Sequence, residues 1–465
     1  MEIQKIFWKK ILLLSSIIAF AFWMLSALRH GLLQSNAYDL GLFDQWVWLS
    51  SKGIPPYSSM EGVHLLADHG AWFLYLAALP YSVFPSIQWL LASQSFALSF
   101  TSIPLCLVAL QSGLSKRNCW LICGLWWLQP VVFNVNLFDF HPEVWGMPLL
   151  ALSYFLARGN KPFLWLISLF CLIGCRDGLV LIVAGIGLEQ AFRRRWIWSI
   201  AALGLSLSWL AMLNKFLYPL LTGTNSGPKA AASLFSYLGN NFDQIAINIF
   251  TKPHLLIINV DWLDGFVYLL LISIAIFPFW RRTSFPVLIG IIPLTAVNFL
   301  SEESPQRTLI HHYSLPIAVI VIISAIDGLA LFPKQSIPWK KLIWASICWA
   351  ALSKPWFFTG PYLSRVNDLA FYYEAINLVP KSAKIYTTSY LVPHLSHRSF
   401  IDFPRSSSND LDMVNLILLN PSDPGWGSSS KLQIALLKEA NNLEWKCREW
   451  ENGLKLCKSP LIRDL

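Results

Sequence analysis

The amino-acid sequence predicts an all-α polytopic membrane protein of about 11 transmembrane helices, followed by a small extracytoplasmic α/β domain. Three observations support this fold class. Of the 465 residues, 55% are hydrophobic and only 13% are charged, whereas a soluble domain averages about 25% charged residues. The apolar residues form runs that are bounded by charge. After residue 358 these runs stop, and strand-like patterns alternate with helix-like ones, as in α/β domains.

The apolar runs define the predicted membrane helices. They lie at 11–28, 87–111, 119–134, 144–157, 162–175, 178–190, 196–213, 262–280, 285–300, 313–332 and 341–358. Several are shorter than the roughly 20 residues that a crossing helix usually needs. A further run at 71–84 is broken by Pro80, and we predict that it forms an interfacial helix. The number of crossings is then odd, which places the two termini on opposite sides.

Basic residues determine the predicted orientation. Lys and Arg gather in alternate short loops, at 5–10, 116–117, 158–161, 193–195, 281–282 and 334–341. Because cytoplasmic loops carry this excess of positive charge, we expect a cytoplasmic N-terminus and an extracytoplasmic tail in a multi-pass protein of the plasma (inner) membrane. The net charge of +9 is explained by this pattern, so the lipid bilayer, and not nucleic acid, is the predicted partner.

The predicted domain boundary lies after residue 358. Residues 1–358 form the transmembrane domain, with external loops at 29–86, 135–143 and 214–261, and residues 359–465 form the soluble α/β domain. Within the 214–261 loop, residues 222–228 have a flexible-loop composition. In the tail we predict helices over 369–378 and 430–441 and strands over 384–388 and 412–419. A disulfide between Cys447 and Cys457 is permitted outside the cytoplasm, and the sequence leaves open whether it forms.

The first external loop carries the run Tyr38-Asp39-Leu40-Gly41-Leu42-Phe43-Asp44-Gln45 directly after the first span. Asp39 could act simply as a helix cap. The second carboxylate, Asp44, lies among aromatic residues, and burying a carboxylate there costs free energy, which favours a functional reason for its presence. Two nearby carboxylates can differ in pKa, so that one serves as a general base. We therefore predict Asp39 and Asp44 as catalytic residues.

The short second loop contains Asp139, His141 and Glu143 within five positions. Together with Asp68, which His69 follows, they offer oxygen and imidazole ligands of the kind that bind a divalent cation such as Mg or Mn. The alternative is that these side chains keep the loop solvated and cap the next helix. We predict Asp68, Asp139, His141 and Glu143 as metal ligands.

Further ionisable residues stand at the predicted external ends of apolar runs. Arg176 and Asp177 lie at membrane-surface depth, where an ionisable pair indicates a functional site or a self-compensating ion pair at a helix junction. Arg307, His311 and His312 precede the tenth run, and a cation there could hold a phosphate. These five residues are predicted to bind substrate.

The motifs resemble those of a bacterial family of membrane proteins, domain-of-unknown-function family 2079. The resemblance rests on YDLGLFDQ at 38–45, the Asp68-His69 pair, DFHPE at 139–143, Asp177 and HHY at 311–313. That family in turn looks like the GT-C superfamily of polytopic glycosyltransferases. Both have an acidic motif straight after the first span, interfacial helices in the first external loop and often a soluble C-terminal domain.

The resemblance implies a GT-C-like architecture and a reaction. GT-C enzymes transfer a sugar from a polyprenyl-phosphate-linked donor to an acceptor outside the cytoplasm, here a glycan, lipid or protein. By position, Asp39 is similar to their first-loop catalytic carboxylate, and Tyr38, Gln45 and His69 are expected to contact the substrate. Two rival functions are a transporter or flippase, and a non-catalytic scaffold. Polar residues clustered on one side argue against the first, and the retained acidic cluster argues against the second.

Overall fold

A computed structural model of the chain describes residues 2–223, 233–240, 242–332, 339–406 and 410–460. In this part of the chain, five helical segments are long and apolar enough to cross a membrane, and two helices that meet at 45° can form a sixth span. The six are Gln4–Gly31, Gln88–Gln111, Trp196–Thr222, Arg282–Leu300, His312–Leu329 and the bent pair Lys116–Trp127 with Pro130–Phe138. The predicted total of about 11 crossings is thus not confirmed, because the other apolar helices fall short of the usual length.

The α-helices up to the tail follow the predicted runs closely. They are Glu2–Gly31, Leu42–Ser51, Leu65–His69, Leu74–Val83, Gln88–Phe100, Ser102–Gln111, Lys116–Trp127, Pro130–Phe138, Glu143–Arg158, Pro162–Cys175, Val180–Phe192, Trp196–Met212, Tyr218–Thr222, Phe242–Thr251, His254–Asn259, Trp262–Ser273, Phe285–Leu288, Ile292–Leu300, Leu315–Leu329 and Trp339–Leu352. The run at 71–84 appears as Leu74–Val83 with Pro80 inside it. Residues 224–228 of the predicted flexible loop lie outside the described residues.

A π-helical turn, Ala37–Gly41, joins the first membrane helix to the helix Leu42–Ser51. Ala37, Leu40 and Gly41 of this turn are buried in the protein, whereas Asp39 remains partly exposed. Gly41 is needed where the turn meets the tail, because a Cβ there would lie 2.8 Å from a methyl group of Val392. Turns of this kind occur often at functional sites.

The tail contains a five-stranded sheet in the described part of the chain. We label the strands β1 (Ile385–Thr387), β2 (Ile401–Asp402), β3 (Leu416–Leu419), β4 (Lys446–Glu449) and β5 (Lys455–Lys458). Their order is β2-β1-β3-β5-β4, with β1 parallel to β2 and β3 and the other pairs antiparallel. The helices Leu369–Asn377, Val392–Leu395 and Ser430–Asn442 complete the domain.

The two tail cysteines lie directly opposite each other on β4 and β5 and form a disulfide. The sequence had left this pairing open. The remaining six cysteines are free, so the oxidised pair is confined to the tail.

The hydrophobic core has one part in the membrane and another where the tail meets the first loop. In the membrane part, the helix Leu315–Leu329 is buried along almost its whole length. The second part joins Phe43 and Trp46 of the first loop to Leu391 and Phe403 of the tail. The tail is therefore packed directly on the loop that carries Asp39.

Candidate functional site

Asp39 and His141 form the centre of the site. The Nε2 atom of His141 lies 3.1 Å from Oδ1 of Asp39, and the side chains of His141 and Asp39 are 4% and 25% exposed, respectively. The cap position of the π-turn belongs to Asn36 and not to Asp39. The interpretation of Asp39 as a helix cap is therefore wrong, and its carboxylate is held by the second loop instead.

A second layer of polar side chains supports His141. Its ring stacks on that of His312, with 3.9 Å between centroids. The Nε2 atom of His312 lies 3.0 Å from Oε1 of Glu143 and 2.7 Å from a guanidinium nitrogen of Arg176. Arg176 also donates a short hydrogen bond to Glu143. Residues from four separate stretches of the sequence, around positions 39, 141, 176 and 312, thus form one cluster.

Burial and charge together decide the ionisation of Asp39. Burial alone would raise the pKa of Asp39, but the hydrogen bond and positive charge of His141, with help from Arg29, outweigh burial and lower it. In the same way, burial would lower the pKa of His141, and Asp39 raises it above its ordinary value. The ionised form of Asp39 is therefore favoured at neutral pH, and the same contact favours the charged form of His141.

A second carboxylate, Asp139, lies beneath the π-turn. One oxygen of Asp139 is 2.6 Å from a guanidinium nitrogen of Arg29, and the other accepts a hydrogen bond of 2.9 Å from the backbone of Asn36. Burial raises the pKa of Asp139, and the charge of Asp39 adds to this, although Arg29 opposes it. The two carboxylates whose pKa values move apart are thus Asp39 and Asp139.

Asp44 points away from this cluster and is fully buried. The hydroxyl of Tyr81 donates to it at 2.6 Å, Ser396 donates a short hydrogen bond, and Nε2 of His397 lies 2.9 Å away. A carboxylate enclosed in this way cannot reach a substrate, so the prediction of Asp44 as a catalytic residue is not supported. Its side chain joins the first loop to the tail.

Gln45 and Tyr38 also face the tail. The amide of Gln45 bonds Ser59 at 2.8 Å and a backbone carbonyl of the tail, and it is buried. Gln45 therefore supports the interface and does not contact a substrate. The Tyr38 ring is half-buried, 5.4 Å from the ring of Phe403 and 5.6 Å from that of Trp426.

Asp68, His69 and Asp177 form a second polar cluster beside Arg176. The Asp68 carboxylate lies 3.0 Å from His69. Asp177 accepts a hydrogen bond of 3.0 Å from Tyr218, and burial raises its pKa although the charges of His69 and Arg176 oppose this. Since Arg176 pairs with Glu143, the alternative of a self-compensating pair with Asp177 is wrong.

The four predicted metal ligands do not come together. Asp68 pairs with His69, Asp139 with Arg29, His141 with Asp39, and Glu143 with Arg176. Within the described ranges, no group of three or more His, Cys, Asp or Glu side chains could hold a metal ion. Each of the four side chains faces a different partner, so they do not form one shared ligand set among the described residues.

The two remaining predicted residues differ in their surroundings. Arg307 is only 5% exposed; it donates to Asp264 at 2.5 Å and to backbone carbonyls. The structure therefore contradicts its assignment to phosphate binding. His311 is half-buried, with Nδ1 2.7 Å from the hydroxyl of Thr308, and Asp39 acts on its pKa, which burial lowers. His311 thus belongs to the edge of the site.

Sequence reasoning missed Arg29 and Tyr218. Arg29 stands at the end of the first long apolar run, and an ionisable residue in such a run is itself a signal of function. Tyr218 carried no comparable signal, because its contact with Asp177 spans 41 positions of the sequence.

The family model described as "Predicted membrane protein (DUF2079)" matches residues 29–456. No curated protein matches the sequence. A crystal structure of ArnT from Cupriavidus metallidurans in the apo state is 10% identical, covers 96% of this chain and 97% of its own, and superposes with a TM-score of 0.53. The same protein bound to undecaprenyl phosphate is 9% identical, with coverages of 98% and 99% and a TM-score of 0.54. The likeness shows that this chain shares the fold of ArnT.

Proposed function

The chain belongs to the DUF2079 family of membrane proteins, and from this membership and its ArnT-like fold we propose that it is a membrane glycosyltransferase. It moves a glycosyl unit from a polyprenyl-phosphate-linked donor to an acceptor outside the cytoplasm. The observation that carries the proposal is the partly exposed carboxylate of Asp39, which His141 holds in its ionised form at the end of the first membrane helix.

Asp39 has the properties of a general base. One of its oxygens is held by His141, and the other has no hydrogen-bond partner among the residues that the structure describes. As the acceptor oxygen bonds to the anomeric carbon, its proton passes to this second oxygen of Asp39. The bond between the anomeric carbon and the phosphate oxygen breaks in the same step, and the lipid phosphate leaves.

The leaving phosphate needs positive charge nearby. Arg176 is 16% exposed and is balanced by one carboxylate, so its guanidinium can stabilise the growing negative charge. His69, 19% exposed, offers a further donor on the same side. ArnT has been crystallised with undecaprenyl phosphate, which supports a lipid phosphate of this type as the donor's carrier.

The disulfide supports an extracytoplasmic site. Disulfides persist in oxidising compartments and are rare in the cytosol. The Cys447–Cys457 pair lies in the tail, and the tail packs on the loop that carries Asp39. The same compartment is predicted from the placement of Lys and Arg residues.

Product formation tests the proposal directly. Purified protein in lipid nanodiscs is incubated with radiolabelled polyprenyl-phosphate hexoses and pentoses and with glycan, lipid and protein acceptors. We expect transfer of label from at least one donor, with the same rate in the presence of EDTA, because the acidic residues are balanced by basic side chains. Absence of product with every donor and acceptor would contradict the proposed reaction.

The pH dependence of the reaction should reveal the coupling between Asp39 and His141. Because His141 lowers the pKa of Asp39, we expect kcat/KM in the wild type to fall at a lower pH than an unperturbed aspartate would set. Replacing His141 with Gln removes the positive charge and leaves burial, which raises the pKa. We expect the acidic limb of kcat/KM to move to higher pH, whereas the exposed-residue control His254→Gln leaves it in place. An unmoved limb in His141→Gln contradicts the coupling.

A further inference from the structure

Three aromatic side chains meet beside Asp39, and we call them the aromatic platform: Tyr38, Phe403 and Trp426. The ring of Tyr38 lies 5.4 Å from that of Phe403 and 5.6 Å from that of Trp426, and the last two rings are 6.3 Å apart. Tyr38 precedes Asp39 in the sequence, whereas the other two rings belong to the tail. The tail therefore contributes directly to the surroundings of the proposed base.

The loop around Trp426 holds its indole in solvent. Trp426 is 58% exposed, and it stands between Gly425 and Gly427, whose φ angles of +77° and +73° are readily adopted only by glycine. A Cβ on Gly427 would lie 3.0 Å from the Phe403 ring. Leaving so large an apolar side chain exposed forgoes the stabilisation that burial gives. Phe403 is fully buried and Tyr38 half-buried, so the indole of Trp426 is the ring of the platform that a ligand can reach most fully.

A polar rim surrounds the aromatic platform. The guanidinium of Arg405 lies over the rings of Tyr38 and Phe403, 5.0 and 5.1 Å from their centroids. It donates to both oxygens of Asp402, at 3.0 and 2.9 Å, and to a backbone carbonyl of the first loop. The guanidinium of Arg405 thus occupies the position over these two rings at which a cationic ligand would otherwise bind.

The charge of the rim disfavours an anion as the bound group. Asp402 neutralises Arg405, and Glu61 is near enough to raise the pKa of Asp402, which burial brings to about 7. Burial and the charge of Asp68 likewise raise the pKa of Glu61 to about 7. Arg405 offers hydrogen-bond donors on this rim and Asp402 offers acceptors, an arrangement that suits a neutral ligand with many hydroxyls.

We propose that the aromatic platform binds a sugar ring of the acceptor, so that the acceptor is a glycan. This inference rests on the proposed transfer reaction. A sugar ring has a face of C–H groups, which packs on the exposed indole of Trp426, and a rim of hydroxyls, which bond Arg405 and Asp402. Because Tyr38 directly precedes Asp39 in the chain, a glycan on the platform is bound next to the turn that carries the base.

Glycan binding by a variant that cannot transfer tests this inference apart from the reaction. Full-length Asp39→Asn protein in nanodiscs is titrated with maltotetraose, cellotetraose and chitotetraose, and binding is followed by saturation-transfer NMR. We expect at least one probe to bind. Adding Trp426→Ala should raise its Kd by about tenfold, and Trp426→Phe should raise it less, because an aromatic face remains. The control Trp196→Ala alters an equally exposed tryptophan far along the chain and should leave Kd unchanged.

The outcomes separate the two proposals. Failure of all three probes to bind, or an unchanged Kd in Trp426→Ala, overturns the platform as a glycan site, even if the wild-type protein transfers sugar. If binding depends on Trp426 but the wild-type protein transfers no sugar from any donor, the glycosyltransferase assignment is overturned and the glycan site stands.

Discussion

Replacing Asp39 with Asn is expected to lower kcat for glycosyl transfer by about 10²–10⁴-fold, the range that general-base catalysis contributes. Asn has nearly the same size, and its amide oxygen can still accept the hydrogen bond from His141. It cannot take up the acceptor proton. The loss should therefore appear in kcat, with little change in the KM for the donor.

The control for this experiment is Asp412→Asn, which changes an exposed carboxylate in the tail. Both variants should elute as the wild type does in size-exclusion chromatography and should unfold at its temperature. Wild-type turnover by Asp39→Asn would remove the general-base role from Asp39. Equal losses in both variants would show that the defect is not specific to the site.

Much of the helical framework could be predicted from the sequence, because hydrophobicity and length are local properties. The expected helix over 430–441 is found as Ser430–Asn442, and the expected strand over 384–388 contains β1. The hairpin of β4 and β5 escaped prediction. Its first strand, Lys446–Glu449, is exposed at every position, so it lacks the alternation of apolar and polar residues on which strand prediction depends.

The candidate site was predicted less well, since its composition depends on contacts between distant loops. The sequence predicts Asp39, His141 and His312 on one side of the membrane, and the structure brings their side chains together. Nothing local distinguishes Asp44 from Asp39, because both lie in one short motif. Asp44 differs because the hydroxyl of Ser396, 352 positions away in the sequence, donates a hydrogen bond to its buried carboxylate.

The same limitation hid the importance of Arg29. Its partner Asp139 was assigned to a metal, because acidic residues and a histidine in a short loop are the usual ligands of a cation. In the structure, the partner of the Asp139 carboxylate is the guanidinium of Arg29, which lies 2.6 Å away. Only the packing of the first membrane helix against Pro130–Phe138 reveals it.

Removing Arg29 is expected to have the largest effect on stability. Arg29 and Asp139 are 8% and 2% exposed, and breaking a buried ion pair by removing one partner costs about 3–5 kcal/mol, because the other charge is left uncompensated. The variant Arg29→Met should therefore unfold at a markedly lower temperature. Transfer should fall as well, since Asp139 anchors the backbone of Asn36 at the start of the turn that carries Asp39.

A double variant separates the loss of charge compensation from the loss of packing. In Arg29→Met/Asp139→Asn no uncompensated charge remains, and the amide oxygen of the substituted side chain can still accept the backbone hydrogen bond from Asn36. The unfolding temperature of the double variant should therefore lie above that of Arg29→Met alone, a non-additivity typical of directly contacting residues. The opposite outcome is that Asp139→Asn lowers the unfolding temperature by the same amount in Arg29→Met as it does in the wild type. In that case the two side chains act independently, and the ion pair does not hold the turn.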